Sequence, residues 1–426
     1  MSSANETLRP PKDCLSRIYG LFEYVGKFAK VMNAGSLLIF FFMVLLTFVN
    51  VVLRYVFKSP LAGVKEYTEV LLIVVVAFSL PLALYEEKLI TVDIITSHFK
   101  PKFRACWDLV ISTITSAIIG LLCYQSIQQA LYFLSVDRVH GTMTGMKSFP
   151  FQLCIAFACF VMCLLCIRWI LGNCIRIREQ KVSVLTWIAL AVVVAALFTL
   201  GYFMLQKGTL NLSNGGLALL GILLMLGLIF AGMPTGFAIM LVGFLLIGNI
   251  RGPATALDQL ASNYYSQTSN YTWAVVGFFM LMGSLCFYSR LGDDIYDTVQ
   301  KYFGRMRGGL AIVTVGASAC LSGIMGDSTS VASTMANIAY PQMKKYGYHD
   351  KLATGTIAAG SLLGPLIPPS TGFIIFATLT GVSLGKLFVA GIVPGLVMAI
   401  VFIAVIMLTC RRNPEMGPRG PRYSRK

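Results

Sequence analysis

Residues 358–381, AAGSLLGPLIPPSTGFIIFATLTG, decide the fold. Apolar side chains flank this stretch, yet Pro365, Pro368 and Pro369 remove three main-chain donors near its middle and leave carbonyls without helical partners. Inside a bilayer such a break is tolerated only where it is buried in protein or faces a polar cavity. A simple kink would need one proline, not three. The stretch therefore reads as a broken helix whose freed carbonyls can act as ligands.

A second interruption lies just upstream, in LSGIMGDSTS, 321–330, where glycines, small hydroxyls and one carboxylate sit between apolar flanks. Asp327 is the only charge between Arg307 and Lys344. Residues 308–343 therefore read as a re-entrant hairpin that enters the membrane and returns to the same side, and an ionisable group at such a tip points to function. The hairpin tip and the broken helix are natural partners.

The rest of the chain supports a membrane setting. Of 426 residues, 57% are hydrophobic and only 12% charged, and the mean hydropathy is +0.76. That is a polytopic membrane protein, not a water-soluble domain. Charge-free runs at 182–206 and 208–250 are long enough to cross about 30 Å of hydrocarbon, the second one twice. Spans are expected near 35–56, 67–86, 105–134, 150–172, 184–205, 214–232, 235–250, 272–289, 352–384 and 388–410. The expected fold is thus all-α, with about ten transmembrane helices, one re-entrant hairpin and one broken helix.

The net charge of +16 arises from Lys and Arg scattered through short loops, which excludes a nucleic-acid partner and instead reports topology in the lipid bilayer. Clusters at Arg9 to Lys30, Lys88 to Arg104, Arg168 to Lys181, Arg290 to Arg307, Lys344 to Lys351 and Arg411 to Lys426 are all expected on the cytoplasmic side. Ten crossings with both termini cytoplasmic satisfy them. The eleven cysteines lie mostly in apolar segments and read as packing residues, and three histidines offer no metal cluster. Glu66, Glu69, Glu86 and Glu87 read as ordinary interfacial charge, and Trp and Tyr as an interfacial belt.

Composition shifts near Lys181, from spans with aromatic and basic flanks to a region rich in Gly, Ser and Thr. The expected organisation is an amphipathic interfacial segment at 1–34, a four-helix module at 35–181, a joining span and loop at 182–213, a transport module at 214–412 and a basic tail at 413–426. Catalytic motifs are missing: GVSLGKL at 381–387 ends in Leu387 where a phosphate loop needs a hydroxyl, and no nucleophile elbow or HExxH occurs. An enzyme, or a pump driven by ATP, has nothing to stand on; no catalytic residue and no cofactor is expected.

The stretch LLGPLIPPSTGFIIFATLTGVSLGKLFVAGIVPGL, 362–396, resembles the large membrane subunit of the tripartite ATP-independent periplasmic (TRAP) transporters, as do GMPTGFAIMLVGFLL and RMRGGLAIVTVGASACLSGIMG upstream. NVVLRYVFKSPLAGVKEYTEVLL, 50–72, and ALYEEKLITVDII, 83–95, resemble the small membrane subunit. The order is that of a fused small-plus-large permease.

The resemblance implies a sodium-coupled importer of organic acids, often carboxylates, in the bacterial inner membrane. It would be fed by a periplasmic substrate-binding protein and would work by an elevator-type motion, with a fold like that of the ion transporter superfamily. It places a sodium site at Ser322, Gly323, Gly326 and Asp327 on the hairpin and at Gly364, Pro365 and Pro368 on the break, ligated mainly by main-chain carbonyls. Ser328, Thr329, Ser370 and Thr371 are the matching candidates for substrate.

Two departures stand out. The family tip usually reads G-I-S-G-S, whereas Met325 and Asp327 stand where serines are expected. Only one hairpin and one Pro-Pro break occur, so the resemblance implies that a second repeat would come from a separate chain. The alternative is a truncated, non-transporting scaffold or assembly subunit.

Overall fold

The computed structural model describes residues 14–180, 184–206, 208 and 213–420. Arg9, Lys12, Lys181, Arg422, Arg425 and Lys426, counted above in the charge pattern, lie outside the described residues. The described chain is almost wholly helical, as expected, and forms two compact units, Met1–Ser269 and Asn270–Lys426.

The first unit holds α1 (Cys14–Tyr55), α2 (Val64–Tyr85), α3 (Pro101–Ser135), β1 (Val139–His140), β2 (Met146–Lys147), α4 (Phe149–Glu179), α5 (Val184–Leu205), α6 (Asn214–Phe230), α7 (Thr235–Arg251) and α8 (Pro253–Thr268). The segment expected to lie in the interface and the first span share one uninterrupted helix, α1. Nothing stops it, because no Pro or Gly pair falls between Ser16 and Tyr55.

Helices α3 and α4 pack along their lengths through Ile118, Ile119 and Leu122 against Ile155, Cys159 and Met162. Buried Cys123, Cys159 and Cys166 are free thiols that fill this core, as their apolar setting predicts. Arg168 is held between the rings of Tyr19 and Tyr85, at 5.0 and 4.5 Å from their centroids. Trp107 Nε1 donates to the Ala231 carbonyl at 2.6 Å, and Thr235 donates through both N–H and Oγ1 to Ile90 O. These bonds seat α6 and α7 on the α1–α4 bundle, within the compact unit that ends at Ser269.

The second unit holds α9 (Thr272–Tyr288), α10 (Leu291–Phe303), α11 (Gly309–Met325), α12 (Ser328–Lys345), α13 (Asp350–Ser361), α14 (Thr371–Thr380) and α15 (Leu384–Arg412). α11 is its centre: Leu310, Val313, Val315, Ala317 and Leu321 are fully buried against α10, α12, α13 and α15. Gly360 on α13 brings that helix onto Ser318 of α11; a Cβ there would sit 2.7 Å from Ser318 Oγ.

Among the described residues, five helices are long and apolar enough to cross a membrane: α2, α3, α4, α15 and the Phe22–Tyr55 part of α1. A sixth arises if α9 and α10, bent by 68°, act as one. The span expected at 184–205 is the 22-residue helix α5, and the rest fall on shorter elements. α6, α7 and α9 have 17 residues each, which rise about 25 Å, and 352–384 divides into α13 and α14 around the break. The helices α8 and α10, not expected from hydropathy, connect the apolar ones.

Candidate ion site

The hairpin and the break meet at main-chain distance. α11 ends at Gly326, which takes φ +64°, and its N–H donates to Ser322 O at 3.0 Å. This left-handed cap turns the chain into α12, whose first residue follows Asp327. Asp327 caps α12: its Oδ2 accepts from Ser330 N–H at 2.9 Å and from Ser330 Oγ at 3.0 Å.

The break runs from Leu362 to Ser370, with Pro368–Pro369 cis, and closes in the same way. Buried Ser370 caps α14 by accepting from Phe373 N–H at 3.4 Å and donates its own proton to Pro365 O. The two capped helix starts lie side by side. Thr371 donates through N–H and Oγ1 to Gly326 O, and Gly364 abuts the Asp327 peptide, where a Cβ would sit 2.8 Å from Asp327 C and O and 3.0 Å from Ser328 N. A Cβ on Gly323 would lie 3.6 Å from Pro368 O, and one on Gly326 would strike Pro369 O. The break is pressed in turn onto α15, where Gly391 receives Leu366 and Phe373 and Gly395 receives Ile367.

The structure thus brings Ser322, Gly323, Gly326, Asp327, Gly364, Pro365 and Pro368 into one locus. Among the described residues, no N–H or hydroxyl donates to the carbonyls of Gly364, Ile367, Pro368 or Pro369. Gly364 is buried and Ile367, Pro368 and Pro369 are half-buried; carbonyls withdrawn from solvent in this state normally find a donor or a cation. Ser322 Oγ is committed to Ser318 O at 2.7 Å, so only its main chain is available to a ligand.

Of the hydroxyls read for substrate, Ser370 and Thr371 are engaged in holding the break, while Ser328 and Thr329 stand in the first turn of α12 with Thr329 exposed. Met325 is turned away from the break; it is buried beside Leu321 and Val331, with Thr334 Oγ1 3.8 Å from its Sδ. The thioether at a position where the family carries a serine is therefore a core residue.

Residues 222–421 match the family described as the tripartite ATP-independent periplasmic transporter, DctM component, and residues 43–174 match the DctQ component of the same transporters. The chain belongs to the TRAP permease family. It carries both permease components in one polypeptide. It is 22% identical over 409 residues to the sialic acid TRAP transporter permease protein SiaT of Haemophilus influenzae, covering 95% of this chain and 64% of that protein. It is 23% identical over 376 residues to the isethionate TRAP transporter permease protein DctMQ of Oleidesulfovibrio alaskensis, covering 87% of this chain and 56% of that protein.

The second half alone is 33% identical over 193 residues to the sialic acid TRAP transporter large permease protein SiaM of Vibrio cholerae, covering 45% and 44% of the two chains. The TRAP chain described here therefore spans between 44% and 64% of the length of these relatives. All three are named as permease proteins, in keeping with the absence of a catalytic motif.

One feature was not foreseen. Glu66, read as ordinary interfacial charge, anchors the β1–β2 turn: its carboxylate accepts from the N–H groups of Thr142, Met143 and Thr144 at 3.0, 3.1 and 2.8 Å and from Thr144 Oγ1 at 2.6 Å. Its partners lie 76 to 78 residues away, beyond any local pattern.

Proposed function

We propose that this TRAP permease is the membrane part of a sodium-coupled importer of organic acids in the bacterial inner membrane, supplied by a periplasmic substrate-binding protein. The observation that carries the reading is the set of undonated carbonyls at Gly364, Ile367, Pro368 and Pro369, held against the Gly323–Asp327 tip. Oxygen dipoles of this kind suit a hard monovalent cation, and unwound main chain at the middle of transporters coordinates sodium in this way. The relatives named for sialic acid and for isethionate point to acids as cargo.

In this reading sodium binds where the tip already meets the break. The exposed first turn of α12, with Ser328 and Thr329, then offers N–H and hydroxyl donors to an anionic group. The hairpin, α13 and α14 move together as an elevator, and the basic clusters keep both termini on the cytoplasmic side. A second repeat from another chain would complete the substrate site.

Sodium binding is tested by the melting temperature of the purified chain in detergent. Replacing potassium by sodium at constant ionic strength should raise it, because an ion that binds only the folded state stabilises it by mass action. Gly364→Val, which drives a branched side chain into the Asp327 peptide, should abolish the difference. Equal melting in the two salts would overturn the reading. Coupling is tested in proteoliposomes holding the chain and a cognate binding protein, where acid uptake should require an inward sodium gradient.

A further inference from the structure

α15 ends in Arg411 and Arg412, so the last turn of this 29-residue apolar helix marks one surface of the bilayer. From there the chain does not leave the protein. Residues 413–420 turn through a short 3-10 segment, Pro414–Met416, and fold back along the base of the hairpin. Met416 O accepts from His349 N–H at 3.1 Å, Gly417 O accepts from Gly308 N–H at 2.9 Å, and Gly420 N–H donates to Gly304 O at 3.1 Å. This strap sets Arg419 directly opposite Arg307 in an isolated antiparallel bridge.

Two like charges in opposed positions of a strand pair repel, and their Cβ atoms lie only about 5 Å apart. Both arginines are exposed, and among the described residues neither makes an ion pair. Asp350, next in sequence to the strap-bound His349, has its carboxylate taken by Lys344 at 2.6 Å. Beside the pair, at the end of α10, Tyr302, Phe303 and Met306 are exposed by 78, 46 and 44%. Two exposed arginines on opposed main-chain positions, near exposed aromatic and thioether side chains at the end of a membrane span, match one ligand chemistry. That is a phosphate diester carrying acyl chains.

We propose that Arg307 and Arg419, flanked by Tyr302, Phe303 and Met306, bind the headgroup phosphate of an anionic phospholipid in the leaflet where α15 ends. The phosphate relieves the repulsion between the arginines, and the acyl chains lie against the apolar side chains. The lipid thereby fastens the strap to the α10–α11 turn and steadies the base of the hairpin. The site is independent of the sodium reading, since it uses none of the residues of the hairpin tip.

The test is native mass spectrometry of the full chain released from detergent after titration with phosphatidylglycerol or phosphatidylcholine. The wild-type protein should retain phosphatidylglycerol in preference. The Arg307→Gln/Arg419→Gln pair should lose affinity for it by roughly 30-fold, at about 5-fold for each arginine near the membrane surface. The Arg307→Lys/Arg419→Lys pair should fall between them, keeping charge and losing the fork.

Undiminished phosphatidylglycerol retention in the glutamine pair would overturn the proposal. So would displacement of the lipid by an equal concentration of glycerol phosphate, which would assign the arginines to a soluble anion. Should the glutamine pair not fold, Arg419→Gln alone carries the test, and an unchanged affinity there has the same force.

Discussion

Thr371 holds the carbonyl of Gly326 twice, with its main-chain N–H and its Oγ1 each 3.1 Å from the oxygen. One residue at the start of α14 thus ties down the turn that ends α11, 45 positions earlier. Thr371→Val keeps the shape and the N–H and removes one donor. The expected loss is about 1 kcal/mol of stability, with Thr371→Ser restoring it. Thermal unfolding of the two variants in detergent measures the difference.

Gly326 and Gly364 are required for a different reason, since each stands where a Cβ would meet the main chain of the other element. Gly364→Ala must push the Asp327 peptide away and should cost about 1–3 kcal/mol, as overpacking does. Gly326→Ala should cost more, because φ +64° adds left-handed strain to the collision with Pro369 O. Gly347→Ala is the control: its φ is +74° but nothing lies within 4 Å of a Cβ there. If the three alanine variants melt alike, close approach is not what these glycines supply.

The hairpin and the break were legible in the sequence because proline, glycine and a lone Asp327 punctuate long apolar runs, and the bilayer permits few explanations for such marks. That the two would meet was expected from the same marks, but how they meet was not legible, since it depends on main-chain approach between Gly326, Gly364 and Thr371, which no periodicity encodes. The lengths of the apolar helices were less legible than their positions: α6, α7 and α9 are apolar throughout yet only 17 residues long. α10 had a usable signal in Ile295, Tyr296 and Val299, which line its buried face at helical spacing, but hydropathy alone hides it among Asp293, Asp294 and Asp297. The strap of 413–420 had none, because its bonds are main-chain bonds.

Tyr348 offers a test of how the hairpin base is held. Its hydroxyl accepts the N–H of Leu310, a buried donor at the start of α11. Tyr348→Phe leaves that N–H unpaired and should cost about 1–3 kcal/mol. Burial pushes the phenol up from 10.0 to about 12. Its contribution is thus fully present below pH 10 and fades as the pH rises to about 12, because the unfolded chain gives up the proton first. Melting curves of wild type and Tyr348→Phe should therefore converge over that window.

Asp327 has two separable roles. As the cap of α12 it accepts from Ser330 twice, a task that asparagine also performs, so Asp327→Asn should leave stability nearly unchanged while Asp327→Ala loses about 1 kcal/mol. On the proposed sodium reading the carboxylate also adds its field to the carbonyls of the break, so Asp327→Asn should raise the sodium concentration needed for half-maximal stabilisation. Sodium titrations that superimpose would restrict Asp327 to capping.

Glu66 makes the most bonds of any single side chain described for the first unit, and all of them go to the turn between β1 and β2. Below the turn, β1 and β2 pair over only two residues each, Val139 with Lys147 and His140 with Met146, and His140 is held by Glu69 and Tyr265. Gly141, at φ +77°, is the position that lets the carboxylate reach the three amides, because a Cβ there would occupy the same space. In Glu66→Gln one oxygen remains to accept and one amide group now repels the N–H donors. Hydrogen exchange at Thr142, Met143 and Thr144 should quicken together in that variant while the amides of α3 and α4 keep their rates. Faster exchange confined to Met143, exposed by 77%, would show instead that the turn is held by its own backbone and that Glu66 follows it.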